Sequence, residues 1–160
     1  MTGVQTCALP IFQVGIPKDL YERPRTRFVA DFVGTNNLVP GDVAERHGER
    51  LVVSTALGRL EAIANGSVAS RCVLAIRPEN IAIVVTTSGG DGPGNVVRGR
   101  IAFASYLGNT LRYDVEAPGG QILKADIRDP WHHDPLAIGR EVTASFPASV
   151  TLAVSDGDDA

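Results

Sequence analysis

Basic charge, aromatic rings, cysteine and long apolar runs are all scarce in this sequence, and each shortage removes a class of function. Lys and Arg number 15 against 18 Asp and Glu, a formal net charge of −3. No run of basic residues stands out, so a nucleic-acid backbone would find little electrostatic attraction here. Aromatics make up 6% of the chain, and Tyr106 with Tyr113 is too sparse for a base-stacking platform. Of the two cysteines, Cys7 stands near the amino end and Cys72 in the apolar run RCVLAI, which gives neither a disulfide framework nor a cysteine metal site. This usage fits a reducing compartment. The longest apolar runs, such as VLAI and IAIVV, are interrupted by Arg77, Glu79 and Asn80. They fall well short of the roughly 20 residues of a membrane-spanning helix. A phosphate-cradling G-x-x-x-x-G-K-[ST] loop is missing too.

What is present begins with a segment to set aside. Met1 to Ile11 (MTGVQTCALPI) resembles the translation of a common short-read sequencing adapter with GTG taken as the start codon. It is expected to be a processing scar, which makes Phe12 onward a gene fragment cut on its upstream side. At 160 residues and 44% hydrophobic content, the chain can bury one core and is expected to form one compact domain.

Two short helices are predicted next. In GIPKDLYERP, Pro17 suits the first helical position, Asp19 favours the positive end of the dipole, and Pro24 ends the run. In RTRFVADFVG, Phe28, Val29, Phe32 and Val33 fall at helical spacing, and Gly34 is expected as a left-handed cap. From Asn37 the character changes to short segments rich in Val, Ile and Thr, punctuated by Gly, Pro, Asn and Asp. That pattern predicts a mainly β fold, a barrel or a sandwich.

An internal repeat sharpens the expectation. Asn37-Leu-Val-Pro-Gly41-Asp-Val43 matches Asn95-Val-Val-Arg-Gly99-Arg-Ile101, 58 residues on. The run around Pro78 (VLAIRPENIAI) matches the run around Pro147 (VTASFPASVTL), 69 residues on. Units that cannot bury their apolar faces alone pack on each other, so two related β-units in one barrel-like body are expected. Asn37, Gly41, Asn95 and Gly99 are read as the repeat's turn positions. The extra length of the second copy is expected mainly in the insertion DPWHHDP (Asp129 to Pro135).

Few residues invite chemistry. The Gly-rich run SGGDGPGN (Ser88 to Asn95) lacks a Lys and precedes a strand, so it reads as a flexible linker. Trp131-His132-His133-Asp134 invites a metal, but adjacent His side chains on an extended segment point to opposite faces, and the remaining histidine is His47. A surface loop is the better reading. Arg77 and Glu79, taken as strand residues, face one side; they pair with neighbours or form a regulatory contact. No catalytic, cofactor-binding or metal residue is assigned.

The join FQVGIPKDLYERPRTRFVADFVGTNNLVPGDV, the run Ile76-Arg77-Pro78-Glu79 and the segment SYLGNTLRYDV, with Tyr106, Leu107, Gly108, Tyr113 and Val115, come in a telling order. Together they resemble the carboxy-terminal end of ATP-binding subunits of ABC importers, in the polyamine, ferric-iron and sugar group. The resemblance implies an oligonucleotide-binding-like TOBE barrel built from two related β-units, preceded by two short helices. It places the last helices of the nucleotide-binding domain at 12–34 and the TOBE-like domain at 35–155, between the adapter-like segment 1–11 and an acidic tail at 156–160. It also implies a second copy of the ATP-binding subunit and transmembrane permease subunits as partners, at the cytoplasmic face of the bacterial inner membrane. ATP and Mg would belong to the parent subunit, with no cofactor in this stretch, which also lacks a Leu-Ser-Gly-Gly-Gln signature. In the family the domain serves dimerisation and regulation, so Arg77, Pro78, Glu79, Tyr106 and Gly108 become its candidate regulatory or structural motif. The wording FVGTNNLVPGDV leans toward the polyamine branch. Two other readings stay open: a free-standing oxyanion module of molybdate-binding type, which shares the Asn-x-x-x-Gly-x-Val repeat, and a nucleic-acid barrel, disfavoured by charge.

Overall fold

Six-residue helices open the described part of the chain, which in the computed structural model comprises residues 13–86 and 94–156. The Met1 to Ile11 segment, most of the Gly-rich run and the end of the acidic tail lie outside the described residues. Helix α1 (Pro17–Glu22) places Pro17 at its first position, where a missing N–H is harmless. In α2 (Arg27–Phe32), the Thr26 hydroxyl accepts from the Val29 N–H at 3.3 Å and caps the helix. Both helices stand where the sequence predicts them. The exit differs from expectation: Val33 is the cap (φ −86, ψ 5), and Gly34 has φ 153, outside the left-handed helical well. Glycine is favoured there by this backbone angle, which L side chains rarely adopt, and an added Cβ would also come 2.9 Å from Arg77 Nη1. The apolar face is also rotated. Val29 and Ala30 are buried, whereas Phe28 and Phe32 stack on each other, centroids 6.1 Å apart, on the exposed side.

Ten strands follow: β1 (Asn37–His47), β2 (Arg50–Thr55), β3 (Gly58–Ala64), β4 (Arg71–Ile76), β5 (Ala82–Val85), β6 (Asn95–Leu107), β7 (Thr110–Glu116), β8 (Ile122–Arg128), β9 (Glu141–Phe146) and β10 (Leu152–Val154). The fold is mainly β, as the residues predict. Instead of one barrel-like body, however, the strands make a closed barrel in the order β1-β2-β3-β10-β4 and a separate five-stranded sheet in the order β5-β9-β6-β7-β8. The units exchange their last strands. After β4 and a 3-10 turn (Pro78–Asn80), β5 crosses to pair with β9; after β9 and a matching turn (Ala148–Val150), β10 crosses to pair with β4. One continuous core results, in which Val39, Val53, Leu60 and Leu74 of the first unit belong to the same cluster as Ile101, Leu111, Leu123 and Phe146 of the second.

The repeat is real, but its register needs two corrections. Asn37 pairs with Ile76 and Asn95 with Phe146, so Ile76 matches Phe146 and the residue before each 3-10 turn is Arg77 or Pro147. Pro78 therefore matches Ala148 rather than Pro147, one residue away from the match the sequence implies. The extra length of the second unit is shared between the Asp129–Pro135 insertion and its longer first hairpin, since β6 has 13 residues against 11 in β1.

Gly41 and Gly99 lie inside β1 and β6, not in turns. A Cβ would come 2.7 Å from Ser54 O at Gly41 and 2.5 Å from Glu116 O at Gly99, so only glycine lets the partner strand approach. Just beyond each, the ladder slips, between Val43 and Glu45 and between Ile101 and Phe103. Such bulges bend the strand and increase its twist.

Candidate functional site

Tyr21 on α1 meets the β-body at Arg77 and Glu79, and this joint is the most elaborate polar arrangement among the described residues. Arg77 is 9% exposed. Its guanidinium lies 3.7 Å over the centroid of the Tyr21 ring, and its Nη2 donates to the Tyr21 carbonyl. Stacking and hydrogen bonding together replace the water lost on burial. Nη1 remains a buried donor without a partner. The Tyr21 hydroxyl donates to Glu79 Oε1 at 2.8 Å. That bond raises the hydroxyl pKa above its ordinary value, helped by burial and by the Glu79 charge.

The strand reading of Arg77 and Glu79 is thus corrected. Pro78 opens a 3-10 turn, and the turn puts Arg77 on the ring face and Glu79 on the hydroxyl of one tyrosine. Tyr21 had no signal of its own in the sequence beyond its place in the family join.

A cleft of about 210 Å3 opens beside this joint, lined by Tyr21, Thr35, Pro78 and Glu79 on one side and Thr110, Arg112, Asp126 and Arg128 on the other. Arg112 Nε and Nη2 each donate to one Asp126 carboxylate oxygen at 2.7 Å. This bidentate pair holds the guanidinium above its ordinary pKa. Tyr106 and Gly108 do not line the cleft. Tyr106 is exposed on β6, and Gly108, φ 63, forms the turn of the β6–β7 hairpin, where a two-residue loop favours glycine.

The repeat asparagines form a second constellation, and their role is not in turns. Asn37 accepts from the Lys124 N–H at 2.7 Å and donates to the Lys124 carbonyl at 2.9 Å. Asn95 accepts from the Glu61 N–H at 2.7 Å and donates to the Glu61 carbonyl at 2.8 Å. An amide side chain carries one acceptor and a donor group, as a peptide does, so each asparagine extends the other unit's strand edge by one peptide. The spacing of the repeat marked both residues without revealing that they clasp opposite units.

Trp131 and His132 lie on the surface in a 3-10 turn (Pro130–His132) reached through Asp129, φ 50. Among the described residues no group of three or more His, Cys, Asp or Glu side chains could hold a metal ion. No described helix is long and apolar enough to cross a membrane.

Residues 74–154 match the family model described as the TOBE domain. The chain is 38% identical over 141 residues to the spermidine/putrescine import ATP-binding protein PotA of Rubrobacter xylanophilus, covering 85% of this chain and 36% of that protein. It is 34% identical over 116 residues to the Fe(3+) ions import ATP-binding protein FbpC of Agrobacterium fabrum, covering 72% of this chain and 31% of that protein. The chain thus spans about a third of the length of these curated relatives. Among solved structures, the cytoplasmic molybdate-binding protein ModG superposes with a TM-score of 0.63 at 14% identity, over 74% of this chain and 95% of that one. That likeness is one of fold.

Proposed function

The chain belongs to the TOBE-domain family, and from that premise we propose that it is the accessory domain of an ABC-importer ATP-binding subunit, serving regulation and subunit pairing. The observation that carries this reading is the Tyr21–Arg77–Glu79 joint. It ties helix α1 to the β-body through a stacked cation and two hydrogen bonds, so that movement of one is felt by the other. The whole subunit would supply ATP, Mg and the phosphate loop. Its partners would be a second copy of itself and the permease subunits, at the cytoplasmic face of the membrane. Polyamine uptake is the preferred substrate reading, on the 38% identity to a spermidine/putrescine import protein.

A chimera tests it. This chain from Phe12 replaces the corresponding part of the Rubrobacter xylanophilus protein, and spermidine uptake is measured in cells lacking their own system. Restored uptake is expected, with a substantial loss in an Arg77→Ala version. A chimera that is expressed and hydrolyses ATP yet transports nothing would sink the reading. The isolated chain should show no ATP affinity by calorimetry.

The fold likeness to a molybdate-binding protein keeps an oxyanion module as the second reading. Before the repeat asparagines stand Gly34-Thr35-Asn36 and Gly92-Pro93-Gly94. These supply no Arg, and Pro93 lacks an N–H. Millimolar molybdate is expected to leave the melting midpoint unchanged. A rise of about 5 to 11 °C, the scale for saturating a site in a domain this size, would favour the oxyanion module.

A further inference from the structure

We propose that the cleft between the Pro78–Asn80 turn and strands β7 and β8 binds a small zwitterion of the α-amino-acid class, its ammonium on Glu79 and its carboxylate on Arg128. The inference goes beyond the importer reading and concerns this chain alone.

The argument starts from which charges in the cleft are already used. Arg112 and Asp126 neutralise each other through two 2.7 Å hydrogen bonds. Glu79 has one oxygen engaged by the Tyr21 hydroxyl, and its second oxygen has no hydrogen bond among the described residues. Arg128 lines the same cleft, is exposed, and its guanidinium has neither a hydrogen bond nor an ion pair among the described residues. One negative and one positive group therefore remain unpaired in one cleft. A ligand of a single sign would meet one of them favourably and the other unfavourably. A molecule carrying both signs satisfies both, and Thr35 and Thr110 line the same cleft. The volume, about 210 Å3, is several times the roughly 30 Å3 share of one liquid water, enough for a small organic molecule.

The first unit supplies an internal control. A cavity of about 240 Å3 there shares two positions with the cleft, Arg50 for Arg112 and Ala148 for Pro78, and is also lined by Leu51, Glu61 and Ala62. Ala148 stands in the place of Pro78, and Ser149, in the place of Glu79, carries no charge. The β2–β3 ladder places Ile63 opposite Arg50, where β7–β8 places Asp126 opposite Arg112. No residue of α1 or α2 lines that cavity. That cavity also has one residue of each sign, Arg50 and Glu61, but it has no carboxylate at the position of Glu79 and no tyrosine from the helical segment. Since Glu79 also holds Tyr21, a ligand there would touch the joint directly.

Thermal unfolding of the 160-residue chain with each of the twenty standard amino acids at 10 mM tests the proposal, with butylamine and butyrate as single-charge controls. At least one amino acid is expected to raise the midpoint saturably, by about 5 to 11 °C near 100 times its dissociation constant, while neither control does. Glu79→Gln and Arg128→Gln should each abolish the rise, and Glu61→Gln in the first unit's cavity should keep it. Amide NMR should place the perturbed signals at residues 21, 35, 79, 110, 126 and 128. Should Glu79→Gln lower the unliganded midpoint, Arg128→Gln alone carries the comparison. The proposal is overturned if no amino acid gives a saturable rise at 10 mM, if butylamine or butyrate matches the best amino acid, or if both variants respond like the parent. None of these results bears on the transport chimera, so the two readings fail separately.

Discussion

The two β-units share one plan and differ in closure, and the difference shows what turns a curled sheet into a barrel. In the first unit β10 runs parallel to β3, Leu152 beside Ile63 and Ala153 beside Ala64. The Ile63 and Asn65 N–H groups donate to the Thr151 and Ala153 carbonyls, both at 2.9 Å. In the second unit β5 makes the reciprocal pairing with β9 but no ladder with β8. There the Asp126 side chain of β8 is held by Arg112, and just past the strand the Asp129 N–H donates to Asn109 O at 3.0 Å. Closure of the first unit thus comes from the parallel β10–β3 pairing, which has no counterpart between β5 and β8 among the described residues. The surfaces differ too. Where β1 carries Glu45 at its bulge, β6 carries the exposed Phe103, followed by Tyr106 and Leu107.

The asparagine clasps are the sharpest way to break the comparison. Asn95 clasps β3 of the closed barrel and Asn37 clasps β8 of the open sheet. Replacing either by Ala strands two backbone groups of the facing strand, so a loss of about 3 kcal/mol is expected for each. Urea denaturation followed by far-UV circular dichroism and by Trp131 fluorescence, a reporter in the second unit, should show one shared transition in both variants. Separate transitions would mean that the exchanged strands do not couple the units.

A smaller effect should discriminate closed from open. Gly41→Ala sets a Cβ 2.6 Å from Val53 Cγ1 and 2.7 Å from Ser54 O, whereas Gly99→Ala sets one 2.5 Å from Glu116 O. The distances are alike, but a closed barrel cannot splay at an edge. Gly41→Ala is therefore expected to cost about 3 kcal/mol and Gly99→Ala about 2. Thermal melts decide the order, and the reverse order would show that closure adds no stiffness.

The joint comes next in size. Arg77→Leu removes a stacked, partly desolvated cation and its hydrogen bond, for an expected loss of about 1 to 2 kcal/mol. Hydrogen exchange should accelerate in α1 and leave β2 unaffected. Protection retained in α1 would show that the helix is held by something other than Tyr21.

Much of the fold was legible in the sequence because it rests on local chemistry. Pro17 and Thr26 mark helix starts, and alternation of Val, Ile and Leu with polar residues marks strands. The repeat announced two units. Strand exchange was not legible, since β5 and β10 are four and three residues long and nothing local states which sheet they join. The register was misread for a related reason. Pro78 and Pro147 look equivalent, yet one is the first residue of its 3-10 turn and the other precedes its turn. The candidate site was half legible: Arg77 and Glu79 were marked by the family motif. Their shared target Tyr21 and the Arg112–Asp126 pair depend on long-range placement across 56 and 14 residues.

The smallest expected effect concerns the charged hairpin of the first unit. Glu45 is flanked by Arg59, whose Nη2 donates to it, and by His47 at 3.5 Å. These bonds, Arg59 first, lower the carboxyl pKa below its ordinary value. A carboxyl whose pKa falls on folding contributes stability that is fully present above the unfolded-state pKa, near 4.3. That contribution is lost as pH falls through the lower folded-state value. Glu45→Gln should therefore flatten the acid side of the stability profile slightly and leave neutral pH nearly unchanged. Because the group is exposed, 1 M salt should erase most of the difference. Phe103, the matching position in the second unit, carries no charge, so Phe103→Gln should leave the acid limb as it is. Urea midpoints measured from pH 2 to 7 at low and high salt separate the two. If both variants change the acid limb equally, the charge difference between the hairpins has no bearing on stability.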